Sequence, residues 1–219
     1  MILAGVVAEE LAGGSGGPIT YAFRQAQNLN GAVDTTSGYG YAYASNVVAG
    51  NLLIAFQYTQ GATPTTPSDT AGNTWLPLGV VSYGSGYTQY TAAWYAIANA
   101  SGPLTVTLHG DNFDQVGLAE YAVSGGVPYL DASTTNTAAS SSVSASVTAS
   151  TSQPLVIAVI AVGGTGTPSG DSYTDRGFAP NFSSTYLGLA DVVSSGSGTK
   201  TATWSISGYS GIVLAAFGN

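Results

Sequence analysis

The chain has no cysteine, one histidine, one methionine and only three basic residues among 219. Without cysteine there is neither a disulfide nor a thiolate metal site. Three cations cannot neutralise a row of phosphates, which argues against nucleic acid as a partner. Nor can they hold the chain on anionic lipid by charge. Charged residues of both signs make up 6% of the chain, against about 25% in an ordinary domain. No run of 18 apolar residues is present, so no helical membrane span is expected. The apolar opening Met1–Ala8 lacks a basic flank and runs into Glu9 and Glu10, a poor match to a signal peptide.

What is present points to a folded chain. Hydrophobic residues reach 44% and aromatics 11%, with a net charge of −8. A disordered chain is poor in the first two. At this length a chain buries roughly 70% of its unfolded surface, so a large core is available.

The segment Gly13-Gly-Ser-Gly-Gly-Pro18 reads as a flexible linker ending in a breaker. Residues 1–17 are therefore read as an N-terminal arm and linker, and 18–219 as one β-sandwich domain. Ile2, Leu3, Val6, Val7 and Leu11 give the arm an apolar side. Both a short helix and an extended strand fit that spacing. From Ile19 onward, runs of Val, Ile, Thr, Tyr and Phe alternate with Gly, Ser, Asn and Pro clusters, a β pattern. The predicted strands are 19–25, 38–44, 52–58, 80–83, 91–98, 104–109, 117–123, 143–147, 155–162, 185–193, 201–207 and 212–217. The Ser/Thr tract before residue 143 is read as a surface loop.

An internal duplication organises these strands. Ala49-Gly-Asn-Leu-Leu-Ile-Ala-Phe56 echoes Ser152-Gln-Pro-Leu-Val-Ile-Ala-Val159, and Gly117-Leu-Ala-Glu-Tyr121 echoes Val213-Leu-Ala-Ala-Phe217. The order is kept and the offset stays near 100 residues. Two such halves facing each other make one sandwich, since either alone would leave an apolar face uncovered. Leu52–Phe56 and Leu155–Val162 are apolar at consecutive positions and read as central strands. Glu120 stands where the duplicate has Ala216, so that face is expected to point outward or to line a shallow groove.

Several of these segments resemble a recurrent β-sandwich class of predicted secreted bacterial and phage-associated proteins. The marks are Val48-Ala-Gly-Asn-Leu-Leu-Ile54, Ser68-Asp-Thr-Ala-Gly-Asn-Thr-Trp75, Ala93-Trp-Tyr95, Ala119-Glu-Tyr121, Leu130-Asp-Ala132, Ala202-Thr-Trp204 and Ala215-Ala-Phe217. They span roughly residues 18 to 217 and leave out the arm. The resemblance implies an all-β, jelly-roll-like antiparallel sandwich in exposed, multimodular or virion-linked proteins. It implies no catalytic residue.

Few residues are placed to do chemistry. His109, with Asp111 or Asp114 as orienter, could serve a serine nucleophile, but no G-x-S-x-G elbow accompanies it. A strand end followed by an Asx-rich turn is the plainer reading. Glu120, Asp191 and Asp131 are the carboxylates a glycoside hydrolase would need; solvent-facing strand residues are the plainer reading. Asp69–Asn73 and Asp111–Asp114 offer oxygens to calcium, or are ordinary turns. Asn181-Phe-Ser183 fits a glycosylation acceptor. Tyr39, Tyr41 and Tyr43 alternate and share one side of a strand, while Tyr87 lies in a Gly-rich loop. These four are the candidates for stacking on sugar rings, with core packing as the other use of the first three. Trp75, Trp94 and Trp204 are read as core.

No enzyme activity, cofactor or metal is expected. The expected role is a structural subunit of an exposed assembly (filament, decoration or tail component), extracellular, at the cell surface or in a virion. Its partner is a further copy of itself, joined through the arm and low-charge surfaces. A carbohydrate-binding or adhesin module using surface tyrosines is the alternative, and a glycan-active enzyme stands behind both.

Overall fold

The computed structural model describes residues 18–29, 31–139, 141–163, 168–170, 172–180, 185–206 and 208–218. The arm residues Ile2, Leu3, Val6, Val7 and Leu11 and the Asn181-Phe-Ser183 motif lie outside the described residues. Among the described residues the chain is all β, without a helix. The first half holds β1 (Thr20–Asn28), β2 (Tyr39–Ala42), β3 (Leu52–Gln60), β4 (Thr65–Asp69), β5 (Leu76–Tyr83), β6 (Gln89–Ile97), β7 (Thr105–His109) and β8 (Gln115–Ser124). The second holds β9 (Tyr129–Ala138), β10 (Ser142–Ala149), β11 (Leu155–Gly163), β12 (Pro168–Gly170), β13 (Thr174–Pro180), β14 (Thr185–Val193), β15 (Gly198–Ser205) and β16 (Ser210–Gly218).

The duplication is complete at the level of topology. The first half forms a five-stranded sheet, β1-β8-β3-β6-β5, and a three-stranded sheet, β2-β7-β4. Adding eight to each strand number gives the two sheets of the second half. Registers match as well. Leu52 of β3 pairs with Ile97 and Tyr121, and Leu155 of β11 pairs with Val193 and Phe217.

The two five-stranded sheets face each other. Alternate side chains of β3 (Leu52, Ile54, Phe56, Tyr58) and of β11 (Leu155, Ile157, Val159, Ala161) meet in a shared central core. The intervening residues point outward. Leu53 and Ala55 pack with Trp75, Trp94 and Leu108 under the first three-stranded sheet. Val156, Ala158 and Ile160 pack with Trp204 under the second. The result is a four-layer stack with three cores, and all three tryptophans are buried. Consecutive apolar residues in β3 and β11 follow directly, because these strands see water on neither side.

Four strands escape a reading of the sequence: β4, β9, β12 and β13. Residues 133–138, read as surface loop, belong to β9 and pair with β16. Each of the four stands at a sheet edge. Edge strands need no apolar run, and they tolerate proline because one side of the ladder is unpaired. Every proline found within a strand obeys this rule: Pro67 in β4, Pro77 in β5, Pro168 in β12 and Pro180 in β13 are all in edge strands.

Gly117 marks the tightest approach in the first half. It pairs with Phe56, and a Cβ there would run into the Phe56 ring and lie 2.5 Å from Asn28 Oδ1. Overpacking of this kind costs about 1–3 kcal/mol. Gly117→Ala is expected to lose stability in that range by urea unfolding. Gly40→Ala on exposed β2, where the nearest side-chain atom is 3.2 Å away, should change stability by less than about 0.5 kcal/mol.

Candidate functional site

Two of the carboxylates singled out above are structural. Glu120 is fully buried, not outward-facing. Leu118, two residues earlier in β8, belongs to the outer core, while Ala119 and Tyr121 belong to the central one. Glu120 therefore points away from the second half. A β-bulge between Phe23 and Gln25 of β1 sets the register here. Two successive residues consequently reach one carboxylate: Gln25 Nε2 donates to Glu120 Oε2 at 2.6 Å, and Arg24 Nε lies 3.3 Å from the same oxygen. Oε1 accepts from the Val48 amide at 3.0 Å and from Asn51 Nδ2. A buried carboxylate persists only with such partners, and these tie β1 and the β2–β3 connection to β8.

Asp191 faces the central core, and its partner also comes from a bulge. The ladder between β13 and β14 shifts between Asp175 and Phe178, which releases Arg176. Arg176 grips Asp191 in a fork, Nε to Oδ2 at 2.6 Å and Nη2 to Oδ1 at 2.9 Å. The Tyr121 hydroxyl of the first half donates to the same Oδ2 at 2.7 Å. The Arg176 guanidinium also lies 3.9 Å above the Phe23 ring, a cation–π contact. Burial, and then the Asp191 charge, push the Tyr121 phenol well above its ordinary range. It stays protonated and acts as donor. Glu120 and Asp191 thus face different cores and do not form a pair of facing carboxylates. Asp131 is elsewhere, accepting from the amide and hydroxyl of Ser150.

The remaining predicted residues sort in the same way. Tyr43 is buried, and its hydroxyl donates to the carbonyls of Ala119 (3.0 Å) and Ile54 (3.3 Å). Tyr39 and Tyr41 are half-buried against the same outer core, their rings 6.4 Å apart. Tyr43 is thus core, and Tyr39 and Tyr41 pack in part against it, in keeping with the packing reading of the strip. The Asp69 turn closes on itself. Its carboxylate accepts from the amides of Ala71 and Asn73, from Asn73 Nδ2 and from Trp75 Nε1. Among the described residues no group of three or more acidic or histidine side chains converges as a metal site.

Tyr87 stands apart. It is 73% exposed, at one end of the first half, where four loops meet. These are the β1–β2, β3–β4, β5–β6 and β7–β8 connections. Their backbones are tied together: Thr35 N to Asp111 O (2.7 Å), Gly110 N to Thr35 O (3.3 Å) and Gly61 N to Thr88 O (2.8 Å). Gly61 has φ +105°, and a Cβ there would collide with the Asp111 carboxylate. Three of the loops, β3–β4, β5–β6 and β7–β8, together with the end of β3, border an open cleft of about 530 Å³ lined by Gln60, Gly61, Tyr87, Asp111, Asn112 and Phe113. Phe113 is 54% exposed.

Beneath these loops lies a buried polar network. Asp114 Oδ2 accepts from Thr35 Oγ1, from Gln57 Nε2 at 2.9 Å and from the Asp111 amide at 2.7 Å. Asp114 Oδ1 and Gln57 Oε1 are buried without a hydrogen-bond partner among the described residues. Among the described residues no hydrogen bond joins His109 to Asp111 or Asp114. Sequence reasoning missed Thr35, Gln57 and Gln60, and it singled out the Asp111–Asp114 segment, with Asn112 and Phe113, only as a turn or calcium loop. One signal was available: the ladder registers align Gln57 with Ile160 and Thr59 with Val162. The first half thus interrupts with polar residues a strand that its duplicate keeps aliphatic.

Comparison of the chain with protein-family models, with curated proteins and with solved structures finds no match in any of the three. The site is accordingly read from its own geometry.

Two outcomes are expected. Arg176→Ala leaves Asp191 buried without its cation and should cost about 3–5 kcal/mol in chemical unfolding. A loss under about 1 kcal/mol would show that Asp191 does not depend on the fork for its burial. Burial also pushes the Asp114 carboxyl up to about 6, against about 4 in an unfolded chain. Between those values the folded state retains a proton that the unfolded state has released. The contribution of this group to stability therefore falls as pH rises through that window and is lowest above it. Asp114→Asn should flatten the stability profile between pH 4 and 7, and an unaltered slope would assign it to another group.

Proposed function

We propose that the chain is a non-catalytic structural subunit of an exposed extracellular or virion assembly, such as a filament, decoration or tail component. It self-associates through its N-terminal arm and its low-charge sandwich surfaces. The observation that carries this reading is where the cations sit. Arg24 and Arg176 are paired with buried carboxylates, and Lys200 is only 7% exposed. What the described surface offers a neighbour includes scattered large apolar residues such as Leu76, Val80, Val127 and Tyr129, and its one exposed cation, Arg24, is already paired with Glu120. Such a face packs against a copy without stranding buried charges. The unpaired edges of the outer sheets give an incoming apolar segment a ladder to extend. The strand order β1-β8-β3-β6 opposite β2-β7-β4 also supports a jelly-roll-like reading of each half, with β5 moved to the edge of the larger sheet.

Light scattering and electron microscopy of the full chain and of residues 18–219 test the proposal. The full chain is expected to form polymers or rings. The shorter chain is expected to be monomeric, with the same β signature by circular dichroism. Equal masses for the two would remove the arm as the assembling element, and monomers in both samples would remove self-association altogether.

A further inference from the structure

We infer that the cleft at the loop end of the first half is a binding site for a neutral saccharide. The inference goes beyond the assembly role and does not depend on it. Four observations converge.

First, two exposed aromatic residues, Tyr87 and Phe113, line one cleft. An aromatic face in water is matched by a ligand with apolar C–H faces and polar edges, which describes a pyranose ring. Second, the other side chains of the cleft are Gln60, Asn112 and Asp111. They supply amide donors and several acceptors but no cation, so the cleft suits hydroxyls and offers nothing to a phosphate, sulfate or carboxylate. Third, about 530 Å³ lies in the range of small-ligand sites.

The fourth observation concerns cost. The Thr35–Gln57–Asp114 network is buried and leaves two oxygens without partners among the described residues. Buried polar groups of this kind destabilise a fold. The second half shows the apolar alternative in the same topology, with Ile160 for Gln57 and Val162 for Thr59. The network holds the Asp111 amide and the Thr35 loop, and so fixes the loop that carries Asp111, Asn112 and Phe113. A local departure from core chemistry that positions a cleft is expected at a functional site.

The test uses the full chain and an array of immobilised neutral and anionic glycans. Calorimetry with a soluble form of the strongest neutral hit follows, on wild type, Tyr87→Ala, Phe113→Ala and the double variant. Neutral glycans are expected to be retained in preference to anionic ones. Each single substitution is expected to weaken binding at least tenfold with an unchanged melting temperature. Val127→Ala, at an exposed position outside the cleft, should bind as wild type does. Three results would overturn the inference: no neutral glycan bound at millimolar concentration, anionic glycans bound alone, or affinity preserved in the double variant. Self-association that the double variant abolishes, without any glycan bound, would also overturn it by assigning the aromatics to an interface. A failure of arm-driven assembly is read from the mass of the 18–219 chain and leaves the glycan result untouched.

Discussion

Two five-stranded sheets must be covered on both faces, and much else in the molecule follows from that demand. β3, β11 and β16 lie in the middle layers and see apolar neighbours above and below. A charge there would need a partner in a dry interior, at a cost of several kcal/mol. The scarcity of charge in the sequence thus has a structural cause before it has a functional one. The two buried carboxylates on strands of the middle layers, Glu120 and Asp191, are the places where an edge strand bulges to deliver an arginine. Arg24 and Arg176 arise from irregularities in β1 and β13, which lie near one another across the central core. A bulge adds a residue outside the ladder and re-aims its side chain, and here both re-aimed arginines neutralise a carboxylate on the neighbouring strand of their own sheet.

The duplication also shows where the halves diverged. Contacts across the central core come in equivalent pairs. Tyr121 of β8 meets Asp191 of β14, and the counterparts Phe217 of β16 and Tyr95 of β6 meet edge to face at 5.2 Å. One member of the pair is a charged hydrogen bond and the other is an aromatic contact. Both fill the same space in the same topology. Exchange of a polar for an apolar solution is thus tolerated within this interface, and a polar residue there is not by itself a sign of function. The Asp114 network differs because it is left incompletely satisfied, beneath loops that carry exposed aromatic side chains.

The legibility of the fold tracks burial. Central strands were readable because burial on two faces writes an uninterrupted apolar run, as in Leu155–Val162. Edge strands were not, because β9 reads Thr-Thr-Asn-Thr over part of its length and β12 is three residues long. The outer sheets were half legible: Tyr39, Tyr41 and Tyr43 alternate, but alternation does not say whether the aromatic side faces core or solvent. Glu120 was misread for a related reason. Its partners come from a bulge in β1 and from a loop, and neither is visible in the local pattern around residue 120. The cleft is lined from three connections separated by up to about 50 residues, with the β1–β2 connection braced behind it. Among its lining residues the sequence singles out Tyr87 for sugar stacking and Asp111 for other chemistry.

The placement of the cleft bears on how the two readings fit together. β1 begins at Thr20, opposite Ser124 at the end of β8, and finishes at Asn28, opposite Gly117 near its start. The Asp111–Asp114 loop precedes the start of β8, so the cleft lies at the end where β1 finishes. Residue 18, where the N-terminal segment joins the body, lies at the other end of the same sheet. The point at which that segment joins the body is thus remote from Tyr87 and Phe113. In the proposed assembly every added copy would bring a further cleft. Many weak sites on one particle raise the apparent affinity for a glycan-bearing surface well above that of a single cleft. A shallow, open site is then sufficient, and the first half has no need of the deep enclosed pocket that a solitary binding protein would require.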